Sequence, residues 1–201
     1  AVIAALAAPG IHIVSFTVTE KGYCRAADGS LDEAQAGPGS LYHFVAQGLR
    51  QRRDAGLSGL TLLSCDNLAD NGPRLAQLMV EYLDRKDSTL RAWFEAECTC
   101  PATMIDRIVP ATTDPVRTAI EIALGLRDEA AVVTEPFSQW VIEDRFAGPR
   151  PAWNRVGAEL VADVAPYENA KLRMLNGAHS ALAYLGLGRG YTYVHEAIAD
   201  P

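Results

Sequence analysis

The residues best able to do chemistry lie together near the C-terminus, in the stretch YENAKLRMLNGAHSALAYLG at positions 167–186. It is rich in helix formers and has no proline, so it predicts one long helix. At ~100° per residue, with Lys171 at zero, Glu168 falls near 60°, His179 near 80° and Asn176 near 140°, so all four share one side. An amine can exchange a proton with a hydroxyl, amides and imidazoles can hold an oxygen, and a carboxylate can carry a proton away. From Lys171 to Asn176 the rise is ~7.5 Å, the size of a small substrate. Periodicity leaves two readings open. Either Glu168 and Lys171 form an i,i+3 pair on a solvated face, or the stripe lines a polar cleft. Charge thins out after Arg173, where a solvated face would more usually continue with Lys and Glu.

Other chemistries find less support. Cys24, Cys65, Cys98 and Cys100 are too few and too unevenly spaced for a disulfide framework, and read as reduced thiols in a cytosolic protein. Cys98-Thr-Cys100 is not a zinc-knuckle spacing, and His12, His43, His179 and His195 are scattered, so no metal site is expected. Eighteen Lys and Arg against 25 Asp and Glu give a net charge of −7, which excludes a general basic footprint for nucleic acid and makes an anionic membrane surface an unfit partner. No apolar run approaches the ~20 residues of a membrane span. The opening AVIAALAAPGIHIVSF has no basic n-region and reads as the interior of a longer chain.

The elements that must position these residues alternate. A short apolar helix over 1–8 stops at Pro9-Gly10. A strand over 11–18 ends at TEKGY, and 24–39 reads as a surface loop. Ser40 caps a helix over 41–55, and LTLLS at 60–64 reads as a strand buried on both faces, ending in the polar Cys65-Asp66-Asn67. Helices are expected over 74–84 and 88–97, a compact loop over 100–113, and short strands at 132–134 and 140–142. This is the α/β pattern. Gly186-Leu-Gly188-Arg-Gly190 follows a helix, so it reads as a helix C-terminus and turn, not a phosphate loop. Trp140 and Trp153 read as core or interface anchors.

Five segments in order resemble the mannitol dehydrogenase and fructuronate reductase family of polyol-specific long-chain dehydrogenases. They are TEKGY (19–23), SCDNLADNG (64–72), PATMIDRIVPATT (101–113), TEPFSQWVIED (134–144) and PYENAKLRMLNGAHSALAYLG (166–186), the last carrying the family's Lys-x4-Asn-x2-His as Lys171, Asn176 and His179. The resemblance implies that residues 1–162 are the C-terminal part of a Rossmann-like NAD(P)-binding domain. Residues 163–201 would then begin a mainly α-helical substrate domain.

It also implies roles. Lys171 would be the general acid/base, Asn176 and Asn67 would donate hydrogen bonds to the reacting oxygen, and His179 would hold the substrate. Glu168 would relay the proton towards solvent. Asp106 would lie close to cofactor and substrate, and Glu20 would face the nicotinamide. The implied reaction moves a hydride between NAD or NADP, NAD favoured, and carbon 2 of a small polyol or ketose without a metal. The runner-up substrate is a sugar acid such as fructuronate or mannonate. Chains of this family are more than twice as long, and the Gly-rich phosphate turn that should open the nucleotide domain is not among these 201 residues. A fragment is therefore expected, and its rival is a non-catalytic module without the phosphate-binding loop. The oligomeric state is left open.

Overall fold

The computed structural model describes residues 1–201. Helix α1 (Val2–Leu6) leads to strand β1 (Ile13–Phe16) and the one-turn helix α2 (Thr19–Gly22). Helix α3 (Leu41–Asp54) starts where the Ser40 hydroxyl accepts the His43 N–H at 3.3 Å, as its cap position predicts. Its Arg52 is buried, and its guanidinium donates to the carbonyls of Leu6, Ala8 and Ser58, which ties α1 and the following turn to the helix.

Strand β2 (Thr61–Ser64) is buried at all four positions and pairs parallel with β1, Ile13 opposite Thr61 and Phe16 opposite Ser64. Leu62 and Leu63 at its centre, uncharged residues on either side and no polar alternation suit a strand covered on both faces. Helices α4 (Asn71–Lys86) and α5 (Ser88–Glu97) follow. Leu75, Leu78, Met79 and Leu83 of α4 pack with Leu49 of α3, Leu90 and Phe94 of α5 and Leu60 and Leu62 in one core.

The next strand, β3 (Thr103–Asp106), lies inside the segment expected to be a loop. Flanking prolines Pro101 and Pro110 gave that segment a loop signature, but Thr103 and Met104 are buried and the strand pairs antiparallel with β4 (Gln139–Glu143). Strand β5 (Glu159–Val161) then pairs parallel with β4. The two ladders meet at β2, where Thr99 bridges Thr61 and the Thr103 hydroxyl donates to the Ser64 carbonyl at 2.6 Å.

Three further expectations are corrected. The Val-Val-Thr run at 132–134 is irregular, because Val132 stays 65% exposed and no ladder receives the segment. A helix not foreseen, α6 (Asp114–Leu124), precedes it; Pro115 in its first turn and a left-handed Gly125 at its end were the available signals. The segment 24–39 is not simply surface, for Cys24, Leu31 and Ala36 belong to the core.

The C-terminal part is helical. Helix α7 (Ala165–Ala170) passes without a break through a π-helical segment (Lys171–Asn176) into α8 (Gly177–Gly188), and α9 (Val194–Ala199) follows. The turn after α8 contains Gly190 at φ 84°, so the Gly-x-Gly-x-Gly run ends a helix. No helix is long and apolar enough to cross a membrane.

Candidate functional site

The site is built where β2 and β3 end. Lys171 Nζ donates to Asn67 Oδ1 at 3.1 Å and to the Ile105 carbonyl at 2.5 Å, and lies 3.7 Å from Asp106 Oδ1. The side chains of Lys171 and Asp106 are only 10% and 15% exposed, so this is not a surface pair. Three elements far apart in sequence thus converge on one ammonium group: the β2–α4 loop, the end of β3 and the long helix. The polar stripe divides: Lys171 turns to Asp106 and Glu168 to the backbone of Asp70, whereas His179, further along the helix, is exposed. Because the Asn67 oxygen already accepts from Lys171, its Nδ2 is the atom left to donate.

Glu168 accepts the Asp70 N–H at 3.2 Å. Burial pushes its carboxyl above the ordinary 4.5, and the Asp70 N–H only partly opposes that. Together with Asp66, Asn67 and Lys171 it lines a cavity of about 50 Å³, room for roughly one to three waters. An acid with a raised folded pKa binds its proton more tightly when folded. Its contribution favours the native state at low pH and is lost as pH rises from the unfolded towards the folded value. Thermal unfolding across pH 4–7 should therefore show the wild type losing ground to Glu168→Gln as pH rises; parallel curves would contradict this.

The loop bearing Asn67 is held by side chains that sequence reasoning did not single out. Asn71, fully buried at the start of α4, donates to the carbonyls of Asp66 (3.1 Å) and Thr103 (3.0 Å) and accepts the Thr103 N–H at 3.0 Å. Gly72 allows this closeness, since a Cβ there would stand 2.5 Å from the Pro101 carbonyl. All of these residues fall within the segments SCDNLADNG and PATMID, but their contacts join positions 32 apart, so no local signal marked them.

The remaining predicted residues stand apart from this cluster. Asn176 is half-buried and His179 exposed, further along the helix. Glu20 is exposed on α2, four residues beyond the end of β1 and not on the strand itself. The π segment modifies the expected stripe. Its hydrogen bonds run i to i+5, so Asn176 follows Lys171 by roughly one turn and lies more nearly over it than the ~140° of a regular helix allows.

Two larger cavities flank Asp106. One of about 510 Å³ is lined by Lys171, Tyr167, Glu135, Phe137 and Met174. The other, about 420 Å³, has Cys65, Gln139 and the paired rings of Trp140 and Trp153, whose centroids are 5.1 Å apart. Burial pushes the Cys65 thiol up to about 11, so it is not a nucleophile at neutral pH. Nowhere do three or more His, Cys, Asp or Glu side chains converge as metal ligands would.

Comparison with known proteins bears on this arrangement. The profile of the mannitol dehydrogenase Rossmann domain matches residues 1–155, and that of the mannitol dehydrogenase C-terminal domain matches 163–201. The D-mannonate oxidoreductase of Escherichia coli K12 is 46% identical over 98% of this chain and 43% of its own length. A substrate-free D-sorbitol dehydrogenase superposes with a TM-score of 0.93 at 37% identity, over 99% of this chain and 43% of that one. The Pseudomonas fluorescens mannitol 2-dehydrogenase in ternary complex with NAD and D-mannitol gives 0.86 at 40% identity, over 100% and 43%. The chain therefore spans less than half the length of these relatives.

Proposed function

The chain belongs to the mannitol dehydrogenase family, and from that premise we propose that it carries the hydride-transfer site of a polyol 2-dehydrogenase. The observation that carries this reading is the convergence of Asn67, Asp106 and the Ile105 carbonyl on Lys171 Nζ at the carboxyl ends of the strands. Ligands of open α/β sheets bind in that crevice. In this reading residues 1–162 belong to the nucleotide domain and 163–201 open the substrate domain.

The residues present fit the reactive half of a dinucleotide: a polar cluster at the strand ends, beside cavities of about 420 and 510 Å³. When bound, NAD or NADP supplies the hydride acceptor or donor, and we favour NAD. Lys171, as the neutral amine, takes the proton of the substrate hydroxyl during oxidation to become the ammonium, and as the ammonium returns it during reduction. Asn67 Nδ2 and the Asn176 amide donate to the same oxygen, where negative charge develops. His179 and Asp106 hold the polyol. Glu20, on α2 beyond the end of β1, would lie on the nicotinamide side. Glu168 receives the proton through the small polar cavity and passes it to solvent. Four free cysteines support a reducing, cytosolic setting.

A second reading, a sugar-acid reductase, is favoured by the similarity to the D-mannonate oxidoreductase. Absorbance at 340 nm, with NAD and either mannitol or mannonate and the whole enzyme, decides between them. We expect higher kcat/KM on mannitol, unchanged after dialysis against a chelator. Higher kcat/KM on mannonate selects the second reading, and no turnover on either, with no NADH binding, selects a non-catalytic module.

A further inference from the structure

We propose that Asp66 is a positioning residue for hydride transfer, one carboxylate that fixes the β1–α2 turn against the loop that presents Asn67. The inference rests on the dehydrogenase reading above. Asp66 Oδ1 accepts the Thr19 N–H at 2.8 Å, and Oδ2 accepts the Val18 N–H at 3.1 Å and the Tyr23 hydroxyl at 3.0 Å. The Ser64 hydroxyl completes the group, 2.5 Å from the Tyr23 oxygen. Tyr23 is fully buried, and burial pushes its phenol above the ordinary range, so it remains a donor. Charge-assisted bonds of this kind are about twice as strong as neutral ones.

What the carboxylate holds is not a relaxed turn. Thr19 and Cys24, one on each side of Gly22, are non-glycine residues in the left-handed region, at φ 61° and 48°. A β-branched residue there persists only when its surroundings over-determine it. The Asp66 bonds to Val18 and Thr19 do so at the first of these positions, beside Glu20.

The same residue is fixed from the other side. Its carbonyl accepts Asn71 Nδ2 at 3.1 Å. The peptide joining Asp66 to Asn67 is therefore anchored on the β1–α2 turn through the side chain and on α4 through the carbonyl. Asn67 projects from that peptide to Lys171. Asp66 thus acts through Asn67, without any need to touch substrate.

The isosteric variant Asp66→Asn puts an amide NH₂ where the carboxylate meets backbone N–H donors, so it breaks the clamp with little change of volume. The test is a double-mutant cycle with Asn67→Ala in the whole enzyme, measuring kcat, KM and the unfolding midpoint. We expect Asp66→Asn alone to lower kcat about tenfold with a smaller change in KM, and to have almost no further effect once Asn67 is alanine. Multiplicative losses, or a wild-type kcat in Asp66→Asn, would overturn the proposal. If Asp66→Asn does not fold, Tyr23→Phe removes one clamp donor and keeps the ring. It should lower kcat severalfold with the same non-additivity, and an unchanged kcat there also overturns it. Failure of the dehydrogenase reading is distinct, since the wild type itself would then show no turnover.

Discussion

Lys171→Ala in the whole enzyme is expected to lower kcat by about 10³–10⁴, roughly 4–5 kcal/mol of transition-state stabilisation, with little change in the unfolding midpoint. The effect is this large because Lys171 Nζ is the group on which Asn67, Ile105 and Asp106 converge. Lys171→Arg sharpens the test. A guanidinium keeps the positive charge beside Asp106 but does not give up its proton in the working range. It should therefore lose nearly as much kcat as alanine does. Near-wild-type turnover in the arginine variant would leave Lys171 an electrostatic role only, and near-wild-type turnover in the alanine variant would remove it from the mechanism.

The second large effect concerns stability. Asn71→Ala strips partners from the buried N–H and carbonyl of Thr103, while the Asp66 carbonyl loses one donor and keeps the Leu68 N–H. Orphaned buried groups cost about 1–3 kcal/mol each, partly relieved by relaxation and water, so a loss of about 2–4 kcal/mol is expected. Chemical denaturation would show it as a lower midpoint with the slope preserved. Because the same bonds hold the Asn67 loop, kcat should fall as well. A variant with the wild-type midpoint would show that the Asn71 bonds are replaceable by water.

How far the sequence disclosed this arrangement depends on whether the information is local. LTLLS carries no charge and no polar alternation and became a strand buried throughout; Ser40 before a 3–4 pattern became a capped helix. Strand β3 was hidden because its identity comes from pairing with β4, 33 or more residues away, while its neighbours Pro101 and Pro110 speak locally for a loop. The helix α6 was hidden for the opposite reason. Its signals are local, Pro115, Gly125 and the 3–4 spacing of Val116, Ile120 and Ala123, but none of its residues is buried.

The site shows the same division. Glu168, Lys171, Asn176 and His179 were found as a stripe, because one helix carries them. That Asn67 and Asp106 would share a site with Lys171 came from resemblance to a family, since no spacing rule relates residues 104 and 65 positions apart. Asp66, Asn71 and Thr103 support the site without any spacing in the sequence that links them to Lys171. Their importance lies in hydrogen bonds that only the folded chain displays.

The π-helical segment gives the spacing of the signature a meaning as a count. In an uninterrupted α-helix a lysine and an asparagine are best stacked with three residues between them, whereas the sequence has four. The wide turn over Lys171–Asn176 absorbs the extra residue. The motif is thus written in the arithmetic of a bulge, and a shortening by one residue between Lys171 and Asn176 would be the change most compatible with keeping the two aligned on an ordinary helix. Such a deletion would advance everything after it, His179 first, by a different angle relative to Lys171. Insertions and deletions here are consequently read by the helix as rotations, and the length of this interval is as much a part of the signature as the residues that bound it.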